Sequence, residues 1–129
     1  MKILKFRLFE AKNNGVKKHQ VDDFVIFQGK SAEANDYITL ELAGENDIWM
    51  HAKGVPGSHV LIKVNDRLPT LEVIKKAAQI AADNSKADKD SDVVVVYCKK
   101  KYVHKRPGMN AGQVEVEYKN SEQITVTKK

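Results

Sequence analysis

The sequence predicts an α+β fold in one domain, a twisted and mostly antiparallel β-sheet packed by two main helices at about residues 31–42 and 71–84. Three observations carry the prediction. Short runs of branched and aromatic residues recur between polar turns, the pattern of strands. Two stretches place apolar residues three and four apart, the period of a helix with one buried face. With 129 residues, 42% of them apolar, the chain can bury one core without metals or disulfides.

Residues 2–9 and 23–28 read as strands joined by a polar connector containing Asn14 and Gly15, and the expectation is that they pair as a β-ribbon. Residues 1–22 are read as a strand or ribbon extension of the same domain whose body is 23–127. Ser31 is a good N-cap, and Ala34, Ile38 and Leu42 fall four apart, so a short helix ending near Gly44 follows. Segments 48–52 and 58–64 read as two short strands, either a hairpin or neighbours, around the turn from Gly54 to Gly57. Thr70 is positioned to cap the clearest helix, and Leu71, Ile74, Ala78 and Ala81 form its stripe, widened by Val73, Ala77 and Ile80. The four valines from Val93 to Val96 lack alternation, which predicts a strand buried on both faces. Residues 113–118 and 123–127 alternate cleanly and predict a terminal hairpin with one wet face.

No apolar run approaches the roughly 20 residues of a membrane helix, and charges interrupt the first nine residues too often for a signal peptide. The single Cys98 suits a reducing cytoplasm. A cytoplasmic protein without a membrane partner is expected. The net charge is +5, and residues 99–106 alone hold five full cations, Lys99, Lys100, Lys101, Lys105 and Arg106. Such a local patch on a balanced chain points to a polyanion. Tyr102 and His104 are interleaved with those cations, offering stacking faces beside phosphate contacts, as single-stranded or looped RNA requires. The plainer account makes the lysines protection against edge pairing of strands.

The segment from Asp47 to Val60 holds the only tryptophan, Trp49, with His51 and His59 around a Gly-Val-Pro-Gly break. Imidazoles near an acid invite a catalytic or zinc reading. Spacing argues otherwise: the histidines stand eight apart, no cysteine is near, and Ser58 lacks the setting of a nucleophile elbow. Neither a catalytic residue, a metal ligand set nor a cofactor motif is therefore assigned. In a purely architectural account Trp49 fills the core and the histidines satisfy buried backbone groups. In a binding account the turn exposes backbone N–H groups and imidazoles to a phosphate or base.

The pieces Asn35-Asp-Tyr-Ile-Thr-Leu40, Asp47-Ile-Trp-Met-His51, Pro56-Gly-Ser-His-Val60, Thr70-Leu71 and Lys101-Tyr-Val-His-Lys-Arg-Pro-Gly108, with Gly112-Gln-Val114, resemble the NFACT-R family. This is the RNA-binding-type domain of NFACT proteins, the RqcH and NEMF ribosome-quality-control factors, which also occurs free-standing. The similarity runs from about Phe24 to Val126. The resemblance implies an α+β domain contacting RNA, tRNA or rRNA, in assemblies on the large ribosomal subunit. It favours Asp47, Trp49, His51, Ser58 and His59 as a recognition surface. It favours Lys101, Lys105 and Arg106 as a basic strip, to which the charge pattern adds Lys99, Lys100 and His104. Met109-Asn-Ala111 departs from a family segment richer in Gly and Pro. No N-terminal NFACT module, helix-hairpin-helix or coiled coil is recognised in these residues, so peptide tailing is not implied. The expectation is a non-catalytic RNA-binding module. The alternatives are an RNA-modification accessory enzyme using His51 and His59, or a module docking DNA or protein through the same strip.

Overall fold

The computed structural model describes residues 15–129. The strand expected at 2–9 and the turn at Asn14 lie outside the described residues. Strands β1 (Val16–Val21) and β2 (Phe24–Gly29) form a hairpin through Asp22 and Asp23. Asp22 adopts a φ of 52°, a left-handed angle that Asp tolerates better than most residues. β2 is thus paired with 16–21 on one edge and with β4 (Val60–Ile62) on the other. β1 escaped the sequence reading because, among the described residues, it is an edge strand. Its middle, Lys17-Lys-His-Gln20, is polar where an interior strand would be apolar.

The main sheet runs in the order β1, β2, β4, β3 (Ile48–Ala52), β5 (Asp92–Lys99) and β8 (Glu122–Thr127), and every pairing is antiparallel. β3 lies beside β4 with Trp49 opposite Leu61, and beside β5 with Trp49 opposite Cys98. The valine run occupies β5, flanked by strands on both sides. Val95 packs into one face's core and Val96 into the other's, as an unalternating run predicts.

Helix α1 (Ala32–Tyr37) starts at Ser31, whose Oγ accepts the Ala34 N–H at 3.0 Å, and passes into a π-turn over Ile38–Leu42. The two together fill the 31–42 span predicted from sequence. The widened turn carries β-branched Ile38 and Thr39, both buried, onto the Trp49 face of the sheet. Helix α2 (Leu71–Asp83) is capped by Thr70 Oγ1, which accepts the Val73 N–H at 3.3 Å. Such a cap contributes about 1 kcal/mol. Its buried stripe is Val73, Ala77, Ala78, Ala81 and Ala82, set on the opposite sheet face against Ile26, Met50, Val60 and Val95. Leu71 does not join that stripe. It sits in the first turn, 57% exposed, because the seam begins two positions further on at Val73.

The terminal hairpin is not formed. After a 3-10 turn over Lys100–Tyr102, β6 (Val103–His104) pairs with β7 (Glu115–Val116) in a small separate sheet. β8 (Glu122–Thr127) instead borders β5, with Asp92 opposite Thr127. The two segments serve different cores. Val114 and Val116 pack on the Trp49 face, whereas Ile124 and Val126 pack on the α2 face. Among the described residues no helix is long and apolar enough to cross a membrane.

Candidate nucleic-acid interface

Pleat parity places Trp49 and His51 on the same face of β3. The two rings stack at 6.1 Å with 19° between their planes. His59, just before β4, meets both rings edge-on, at 5.1 Å from Trp49 and 5.4 Å from His51. The two histidines therefore converge on one face. Thr39 on the π-turn joins the cluster: its Oγ1 accepts the Trp49 indole N–H at 3.0 Å and lies 2.9 Å from His59 Nδ1. Trp49 is 1% exposed and acts as the internal support.

Asn35 fixes the backbone beside the rings. Its Oδ1 accepts the His59 N–H at 2.9 Å, and its Nδ2 donates to the Gly57 carbonyl at 3.3 Å. Gly29 makes room for it, since a Cβ there would stand 2.0 Å from Asn35 Oδ1. Gly57 passes close to the end of α2, where a Cβ would be 2.9 Å from Ser85 Cα. Ser58 is buried; its N–H donates to Asn84 O at 3.1 Å and its Oγ accepts from Gln28 Nε2 at 3.4 Å. The turn is thus held from β2, α1 and α2 at once. Asn35, Thr39 and Gly29 received no role from the sequence. The first two lie in the quoted Asn35–Leu40 piece, so a signal was present without its geometry.

Burial holds both imidazoles neutral. The His51 pKa is lowered by desolvation, against a hydrogen bond with the Gly57 backbone. The His59 pKa is pushed down to about 3, first by burial and then by the neighbouring His51, with backbone hydrogen bonds at Gly112 and Asn35 opposing. A neutral imidazole offers ring faces and fixed hydrogen bonds rather than a proton at neutral pH. The acid that a catalytic reading would recruit is elsewhere. Asp47, four residues before His51 along an extended strand, is roughly 13 Å away. Its carboxylate is buried, with Oδ1 accepting the Val64 N–H at 2.7 Å and Oδ2 accepting the Gly44 N–H at 2.7 Å and Lys63 Nζ at 2.6 Å. Among the described residues no three His, Cys, Asp or Glu side chains gather as metal ligands.

Two adjoining cavities of about 630 Å³ each open beside the rings and share His51, Pro56, His59, Gly112 and Gln113. The first is lined by Ser31, Asn35, Ser58 and Ser85, with Lys30 and Lys86 on it. The second is lined by Val55, Met109, Val114 and Tyr118, with Lys53 on it. None of these three lysines has a carboxylate partner among the described residues. Gly112, at φ 81°, lies against α1, where a Cβ would come within 3.2 Å of Ala32 Cα. The residue 105–113 loop thereby closes over the histidines.

The basic strip divides. Lys105 is half-buried and ties that loop to α1, donating to Asp36 at 3.2 Å, to Gln113 O at 2.9 Å and to Asn110 O. Arg106 pairs with Glu115 at 2.8 Å, His104 with Glu117, and Lys100 with Glu45 at 3.2 Å. Lys99 and Lys101 stay exposed, Lys101 lying over the Tyr102 ring at 5.3 Å. They stand at the Asp47 end of the sheet, since Lys99 pairs with Ile48 and the Lys101 N–H donates to Glu45 O. The strip's near end therefore reaches the histidine groove through Lys105, and its far end does not.

Comparison with known proteins adds to this geometry. The family described as NFACT protein RNA binding domain matches residues 5–118. The Rqc2 homolog RqcH of Bacillus subtilis (strain 168) is 39% identical over 100 residues, 78% of this chain and 17% of the relative. That of Streptococcus suis (strain 05ZYH33) is 38% identical over 104 residues, 80% of this chain and 18% of the relative. The chain thus spans 17–18% of the length of these curated relatives. The solved C-terminal part of the fibronectin/fibrinogen-binding protein from Streptococcus suis shares the fold with a TM-score of 0.82. It is 30% identical, and the match covers 98% of this chain and 55% of that one.

Proposed function

The chain belongs to the NFACT protein RNA binding domain family, and from that premise we propose that it is a non-catalytic RNA-binding module working in ribosome quality control in the cytoplasm. Its ligand is structured RNA, tRNA or rRNA of the large ribosomal subunit. The observation that carries this reading is the groove beside His51 and His59, whose lysines, Lys30, Lys53 and Lys86, lack carboxylate partners among the described residues. Unpaired ammonium groups are free to exchange counterions for phosphates. The neutral rings and the turn from Gly57 to His59, its polar groups paired within the protein, give the groove a fixed shape to be recognised. Lys99 and Lys101 extend the phosphate track, whereas Lys100, Lys105, Arg106 and His104 act first on the protein itself through their acidic partners.

A parallel titration of tRNA, single-stranded RNA and duplex DNA tests the reading. Three phosphate contacts give a log–log salt slope near roughly −2 on a single strand, and Lys99 with Lys101 take it towards about −3.5. Binding to RNA in preference to DNA with a slope in that range is expected. Absence of RNA affinity at low salt, or a slope near zero, overturns it.

A further inference from the structure

We infer that Tyr118 is a stacking platform for one unpaired RNA base, seated in the cavity lined by Val55, Met109 and Val114; this rests on the RNA-binding reading above. Tyr118 opens the 3-10 turn between β7 and β8 and is 56% exposed. An aromatic ring of that exposure adds little to the core, yet this one lines the cavity that also contains Val55, Met109 and Val114. Lys53 Nζ stands 5.4 Å from its ring centroid. Aromatic face, apolar floor and cation thus meet at one mouth. A base needs the first two, and the phosphate that follows it needs the third. The adjoining cavity, with Lys30 and Lys86, can take the neighbouring sugar-phosphate, because both cavities share His51, His59 and Gly112. A regular duplex keeps its bases stacked inside and has none to place on the ring. The site therefore discriminates unpaired from paired RNA.

The test compares the wild-type protein with Tyr118→Ala and Tyr118→Phe, each titrated with a single-stranded oligoadenylate RNA and a blunt duplex RNA. Tyr118→Ala is expected to weaken single-strand binding by about tenfold or more and to leave duplex binding within about twofold, since duplex contacts are phosphate contacts. Tyr118→Phe, which keeps the ring, is expected to bind both RNAs like wild type. Equal single-strand affinity for wild type and Tyr118→Ala overturns the platform while leaving the RNA-binding reading in place. A wild-type protein that binds neither RNA overturns both.

Discussion

Replacing Gly29 with alanine strikes the contact that holds the groove's backbone. The new Cβ would stand 2.0 Å from Asn35 Oδ1 and 3.0 Å from the Asn35 backbone N, so the side chain has to move. Moving it releases the His59 N–H, a buried donor now satisfied at 2.9 Å, and the Gly57 carbonyl. An unsatisfied buried donor costs roughly 1–3 kcal/mol. Overpacking in a filled site costs roughly 1–3 kcal/mol more. Gly29→Ala is therefore expected to lose about 2–6 kcal/mol, which at about 4 °C per kcal/mol lowers Tm by roughly 8–24 °C. Urea unfolding followed by the fluorescence of Trp49, the only tryptophan and a fully buried one, reads this directly. The mechanism also demands coupling. Asn35→Ala by itself loses the same two hydrogen bonds, but combined with Gly29→Ala it removes the clash, so the double variant should fall short of additivity by about 1 kcal/mol or more. A Gly29→Ala protein within about 0.5 kcal/mol of wild type, or a strictly additive pair, would refute the reasoning.

Asp47→Ala strands two backbone donors and the Lys63 ammonium, and should destabilise by roughly 2–4 kcal/mol while RNA affinity, measured well below the new Tm, stays within about twofold. Acid should weaken the fold through His59: its folded pKa, about 3, lies below the unfolded value, so the unfolded chain takes up the proton first. Stability is then full above the unfolded value of about 6.5 and falls by about 1.4 kcal/mol per pH unit as pH drops towards the folded value. His51, shifted the same way, adds to the slope, and urea midpoints across that range for wild type and His59→Gln should show a shallower dependence in the variant. The Cys98 thiol, buried and pushed up to about 11, should resist thiol reagents in the native protein and label at the rate of unfolding.

Much of the fold was legible because its signals are local. Ser31 and Thr70 caps, the alanine stripe of α2 and the unalternating valines each report one residue's immediate environment. What failed required knowing partners. Residues 113–118 and 123–127 each alternate as strands, but alternation does not say which sheet face each serves, and they serve opposite ones. β1 hid behind its edge lysines. At the site, His51 and His59 were visible as residue types and by resemblance, whereas their convergence depends on the β3–β4 register. The basic strip illustrates the same limit, since a run of cations in sequence does not reveal Asp36, Glu45, Glu115 and Glu117 waiting opposite. The groove's own cations, Lys30, Lys53 and Lys86, are scattered along the chain and gathered only by folding.

Amide chemical-shift mapping during titration with tRNA tests most directly whether that gathered groove is the RNA site. The largest perturbations are expected at Lys30, Lys53, Gly57, Ser85, Lys86 and Gly112, with weaker effects at Lys99 and Lys101. Perturbations centred on the exposed side of α2, around Lys75 and Lys76, with the groove amides unmoved, would contradict the account.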